Sequence, residues 1–139
     1  MRKMLLALLA SLVIPLVLLA PSANSAVKDR PVRHVVDHDV ALNASRRILE
    51  ADAKSVSLNV RQLRAEWQKV ATCEVAGNWS MAGPRYSGIG FLNTTWHEFG
   101  GERFASLAGQ ATEAQQIIVG MDVTNGWIPD QKGCAPGGW

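Results

Sequence analysis

Trp67-Gln-Lys-Val-Ala-Thr-Cys-Glu-Val-Ala-Gly-Asn-Trp79 is the stretch that decides the fold. It continues an apolar series, Val60, Leu63, Trp67, Val70 and Ala71, whose spacing of i, i+3, i+7, i+10 and i+11 is that of one helix face. Glu74 falls fourteen residues after Val60 and seven after Trp67, in the middle of the same arc. A carboxylate therefore emerges from the buried face near the helix end, and Gly77 supplies a stop signal.

Downstream, Asn78 to Asn93 is rich in turn residues, with Gly83, Pro84, Gly88 and Gly90, and Ile89 and Phe91 flank a glycine. This pattern predicts turns with short strands. Thr95-Trp-His-Glu98 has capping-box spacing and predicts a short helix ended by Gly100-Gly101. A second box, Thr112-Glu-Ala-Gln115, opens a helix with Ala114, Ile117, Ile118 and Met121 as its apolar face, closed by Asn125-Gly126. The tail from Trp127 to Trp139 is rich in Gly and Pro. The expected class is mainly α (α+β), with a short β/turn segment after the helix that carries Glu74.

Upstream, Arg2 and Lys3 precede a run from Leu5 to Ala20 that is apolar apart from Ser11, followed by Pro21-Ser-Ala-Asn-Ser-Ala26. A basic start, an apolar run and small residues form the pattern of a secretory signal peptide, expected over residues 1–25 with cleavage after Ser25, and after Ala26 as the next choice. The competing reading is an uncleaved anchor helix, which Pro15 and the small-residue site disfavour. Residues 26–59 are polar and mixed and read as an N-terminal extension, partly helical or flexible. Its helix is expected over 40–54, with Ile48 and Leu49 as anchors. Residues 60–139 form the expected domain.

Of 14 Lys plus Arg, two lie in the basic start, which leaves 12 against 12 Asp plus Glu. A near-neutral chain carries no concentrated basic surface for nucleic acid or anionic lipid, so neither partner is expected, nor stable membrane association after signal cleavage. Export would place Cys73 and Cys134 in an oxidising compartment, where one disulfide is the expectation and two buried free thiols the alternative. Closing a loop of about 60 residues stabilises a fold by roughly 4 kcal/mol on the chain-entropy estimate.

Glu74 is the candidate catalytic residue. A general acid working near neutral pH needs a carboxyl lifted from about 4.3 to about 6 or more, and apolar burial is the usual means. Position alone leaves an equal reading, a carboxylate that caps a helix or reaches water. Candidate substrate-binding residues are Asn78, Trp79, Tyr86, Thr95 and Trp96, with Trp127, Asn93 and Thr94 as further groups of the kind that meet sugars. By helical phase Trp67 belongs to the core, whereas Trp79 or Trp96 is expected nearer a cleft. His34, Asp37, His38 and Asp39 read as solvated polar residues rather than metal ligands. No metal and no cofactor is expected.

Trp67-Gln-Lys-Val-Ala-Thr-Cys-Glu74, Gly77-Asn-Trp79, Tyr86-Ser-Gly-Ile-Gly-Phe91, Thr95-Trp96, Gly100-Gly101 and Gln115-Gln-Ile117 occur in the order seen in the resuscitation-promoting factors of actinobacteria. From about Trp67 to Cys134 the chain resembles their catalytic domain. The resemblance implies a small lysozyme-like fold, related to soluble lytic transglycosylases, that acts on the glycan strand of peptidoglycan. It implies Glu74 as the catalytic glutamate, Cys73 with Cys134 as the family disulfide, and Tyr86 and Thr95 as cleft residues. A secreted or cell-wall-associated protein and a part in waking dormant cells follow from it as expectations; protein partners do not.

The chain departs from the family where Glu74-Val-Ala-Gly-Asn-Trp79 replaces Glu-Ser-Gly-Gly-Asn-Trp and where Gly90 replaces the glutamine of Gly-Leu-Gln-Phe. The turn before Tyr86 is shortened, and the Trp-Pro-x-Cys ending is missing. No Asp or Glu occurs between Glu74 and Glu98. Retaining and inverting glycosidases both need a second carboxylate, so a single-acid mechanism is favoured unless folding brings in Glu98, Glu102 or Asp122. The competing function is a protein of the same fold that binds glycan without cutting it.

Overall fold

The computed structural model describes residues 30–136 and 139, with side chains from residue 38 onward. The expected signal segment 1–25 and its cleavage site lie outside the described residues, as do the side chains of His34 and Asp37. The architecture is mostly helical: α1 (Arg30–Ser55), α2 (Val60–Val75), β1 (Tyr86–Ser87), β2 (Phe91–Leu92), α3 (Asn93–Glu98) and α4 (Glu113–Val123). Short 3-10 turns at Gly101–Arg103 and Ala108–Gln110 connect α3 to α4.

α1 is longer than the expected 40–54 and starts at Arg30. Ser45, Leu49 and Ala53, four residues apart, are buried in the part of α1 from residue 38 onward and turn one face toward α4 and α2. Ile48, expected as an anchor beside Leu49, stands one position off that stripe and is exposed.

α2 buries Leu63, Trp67, Val70 and Ala71, the face read from the periodicity. Its start is a capping box not foreseen in the sequence: the Asn59 side chain accepts from the Gln62 N–H at 3.0 Å, and Gln62 Oε1 accepts from the Asn59 N–H at 2.9 Å. Such a cap stabilises a helix by about 1 kcal/mol. The helix ends at Val75, two residues before Gly77, because Ala76 takes the left-handed conformation and the Gly77 N–H closes on Ala71 O at 2.8 Å.

α4 opens with the predicted box at Thr112 and Gln115 but buries more than one face, since Gln116, Val119 and Gly120 are enclosed with Ile117, Ile118 and Met121. Gly120 has no side chain where the Trp67 ring crosses α4. The predicted box at Thr95–Glu98 does not form. α3 begins two residues earlier, at Asn93, so Thr95 already sits inside the first turn, and no side chain caps the helix. The two strands pair antiparallel, Tyr86 with Leu92 and Ser87 with Phe91, and the one disulfide joins Cys73 to Cys134.

Candidate active site

α2 carries its buried face up to Ala71, and Glu74 follows one turn later on that face, where the core gives way to an open groove. The groove has a volume of about 750 Å³. α2 contributes Glu74 and Val75, the hairpin contributes Tyr86, Gly90, Phe91 and Leu92, and α3 contributes Thr95. Trp139 of the tail completes the lining.

Polar side chains hold the hairpin wall. Ser87 Oγ donates to Asn93 Oδ1 at 2.7 Å and accepts from the Ala108 N–H at 3.1 Å, while Asn93 Nδ2 donates to Gly83 O at 3.1 Å. Gln116, fully buried on α4, accepts from the Ile89 N–H at 3.1 Å and donates to Trp79 O at 3.0 Å and Ala111 O at 3.1 Å. One amide thus joins α4, the loop after α2 and the hairpin turn. Sequence reading had only the motif position of Gln116, because helical phase marks polar residues as outward unless tertiary contacts enclose them.

Glu74 is partly buried, and its carboxyl is raised above the ordinary glutamate range, chiefly by burial and secondarily by the negative charge of Asp130. Loss of hydration disfavours the ionised form, and a like charge adds to that effect. Asp130 lines a separate crevice beside the disulfide, with Oδ1 accepting from the Ala135 N–H at 2.6 Å. Its Oδ2 is buried without a hydrogen-bond partner. Glu74 is the sole Asp or Glu among the described residues that line the groove. Glu98 is exposed, Glu102 pairs with His97, and Asp122 pairs with Arg103 at 3.6 Å, so none of these three lines the groove.

The structure brings Glu74, Tyr86 and Thr95 together around one groove and leaves Asn78, Trp79 and Trp96 outside it. Trp96 has no exposed surface and donates its indole N–H to Ala105 O at 2.9 Å, a core role that corrects the expectation of a sugar-facing ring. Trp79 is buried with its indole N–H on Gln68 Oε1 at 3.0 Å, and Asn78 is exposed, its side chain accepting from the Ser80 N–H. Asn93 serves the hairpin, and Trp127 is exposed away from the groove.

Among the residues at or near the site that the sequence did not single out are Arg85 and Trp139, which line the groove, and Asp130, whose charge acts on Glu74. The Arg85 guanidinium lies over the Tyr86 ring, 5.3 Å from its centroid. Trp139 follows Cys134 by five residues, and nothing in its local sequence marks a return to the helix that the disulfide reaches.

Residues 62–128 match the family described as Transglycosylase-like domain. Resuscitation-promoting factor Rpf1 of Corynebacterium glutamicum is 44% identical over 57 residues, 40% of this chain and 30% of that protein. Resuscitation-promoting factor RpfA of Mycobacterium tuberculosis is 47% identical over 60 residues, 42% of this chain and 15% of that protein. Resuscitation-promoting factor RpfB of Mycolicibacterium smegmatis is 38% identical over 55 residues, 38% of this chain and 15% of that protein. The chain thus spans less than a third of the length of these relatives.

Proposed function

We propose that this chain, whose residues 62–128 are a transglycosylase-like domain resembling that of the resuscitation-promoting factors, cleaves the β-1,4 bond between N-acetylmuramic acid and N-acetylglucosamine in peptidoglycan. The observation that carries the proposal is Glu74 with a raised pKa on the wall of an open groove, beside Tyr86 and Thr95.

In the proposed reaction Glu74 gives its proton to the bridging oxygen as the bond from that oxygen to the anomeric carbon breaks. With no second Asp or Glu among the described groove residues, the substrate supplies the stabilising group. The carbonyl oxygen of the 2-acetamido group closes on the anomeric carbon. The C6 hydroxyl of the same sugar then displaces it, releasing its proton to the Glu74 carboxylate. The products are a 1,6-anhydro end and a free 4-hydroxyl, and Glu74 is again protonated. Entry of water in place of the C6 hydroxyl would give the hydrolytic outcome. Secretion to the cell wall, and promotion of regrowth through wall remodelling, belong to the same proposal.

Glu74→Gln tests it. The variant is expected to abolish loss of turbidity of purified cell walls while retaining binding to glycan strands, and mass spectrometry of wild-type products is expected to show 1,6-anhydro ends. Wild-type protein without lytic activity would leave the binding protein of the same fold as the reading, and a Glu74→Gln variant as lytic as wild type would remove Glu74 from the catalytic role.

A further inference from the structure

Five tryptophans occur in the chain, and they separate by environment. Trp67 and Trp96 have no exposed surface, Trp79 is buried with its indole N–H satisfied, and Trp127 is exposed outside the groove. Trp139 alone among them lines the groove that holds Glu74.

Its ring is supported from below. Trp139 meets Trp67 edge-on at 5.4 Å between centroids and Phe91 edge-on at 5.1 Å, with interplanar angles of 77° and 78°. Both supports are buried core residues. Trp139 itself remains partly exposed, so a ring fixed against two core aromatics presents surface to the groove. It lies outside residues 62–128, the segment shared with the transglycosylase-like family. The tail that delivers it is fastened twice, by the Cys73–Cys134 disulfide and by the Ala135 N–H on Asp130 Oδ1.

We propose that Trp139 is the aromatic sugar-binding platform of the groove, contributed by the disulfide-fastened tail, and that an N-acetylated pyranose ring packs on its exposed surface next to Glu74. The proposal rests on the glycan-cleaving reading above. The apolar C–H face of a pyranose meets a flat indole ring as another apolar ring does, which is the interaction that Trp79 and Trp96 were expected to make and cannot make from the core. Because the tail is held by Cys134, whose partner Cys73 adjoins Glu74, the same covalent bond anchors the catalytic helix and the binding wall. Breaking it is expected to weaken glycan binding.

The experiment titrates a soluble tetrasaccharide of β-1,4-linked N-acetylglucosamine into the Glu74→Gln protein by calorimetry, with and without Trp139→Leu. Leucine keeps apolar volume against Trp67 and Phe91 and removes the flat ring, and circular dichroism with thermal melting checks that the fold persists. The affinity is expected to fall about tenfold with Trp139→Leu. Trp139→Phe, which restores a flat ring, is expected to recover most of it. In the wild-type background Trp139→Leu is expected to raise KM with little change in kcat. Equal affinity with and without Trp139 would overturn the platform and leave the glycan reading standing. Tighter binding or faster lysis by Trp139→Leu would overturn it by showing the ring to be a plug. No binding by Glu74→Gln with Trp139 intact would count against both the platform and the reading it rests on.

Discussion

The backbone of Gly90 runs directly against the side chain of Glu74: a Cβ at residue 90 would stand 3.4 Å from Glu74 Cβ and 3.7 Å from Oε2. Gly90 holds φ at +109°, a conformation that side-chain-bearing residues rarely adopt. The contact distances themselves are ordinary, so backbone strain rather than a clash dominates the cost of substitution. Gly90→Ala is expected to destabilise the protein by about 1 to 2 kcal/mol. Urea unfolding checks this. Gly90→Gln, which places the family's more usual residue here, is expected to lose stability in the same way and not to gain activity. A Gly90→Gln protein that is both as stable and more active than wild type would refute the argument.

Asp130 acts on Glu74 through charge. A reaction that needs protonated Glu74 loses rate as pH rises through the pKa of that group. Asp130→Asn removes the like charge while retaining an oxygen that can accept from the Ala135 N–H, so ionised Glu74 becomes easier to form. The alkaline limb of the pH–rate profile is therefore expected to move to lower pH in Asp130→Asn. An unmoved or upward-shifted limb would show that this charge does not set the proton affinity of Glu74.

Gln116 couples three segments through one buried amide. Gln116→Leu leaves the Ile89 N–H and the Trp79 and Ala111 carbonyls without that partner, which is expected to cost roughly 2 to 4 kcal/mol. Chemical denaturation measures the loss. Activity is expected to fall with it, because the hairpin turn that bears Gly90 loses its tie to α4.

Asp52, on α1, has a pKa raised from 3.8 to about 6, first by burial and then by the charge of Asp122. Its Oδ2 is buried without a hydrogen-bond partner. The folded state holds this proton more tightly than the unfolded chain does. Its contribution is therefore favourable below about pH 4 and is lost as pH rises toward about 6. Asp52→Asn is expected to raise the melting temperature above pH 6, with little change near pH 4. A pH series of thermal melts decides it.

Local order was legible in the sequence wherever it rests on neighbours along the chain. The stripe Leu63, Trp67, Val70 and Ala71 marked α2 and its buried face, and Thr112 with Gln115 marked the start of α4. The same reasoning failed at Thr95, where strand β2 feeds straight into α3 and moves the helix start to Asn93. It held for Leu49 but failed for its neighbour Ile48, because propensity does not tell which side of a long helix meets α4.

The candidate site divides along the same line. The phase of α2 determined from sequence alone that Glu74 leaves the apolar face at the helix end, and the two cysteines identified the covalent tie beside it. Only the tertiary structure decided which aromatics face the groove, turning Trp79 and Trp96 inward and bringing Trp139 from the far end of the chain to Phe91. It alone placed Asp130 where its charge reaches Glu74. Helical phase is set over a few residues by bond geometry, whereas a groove is enclosed by segments up to 65 positions from Glu74, whose meeting depends on how the whole core packs.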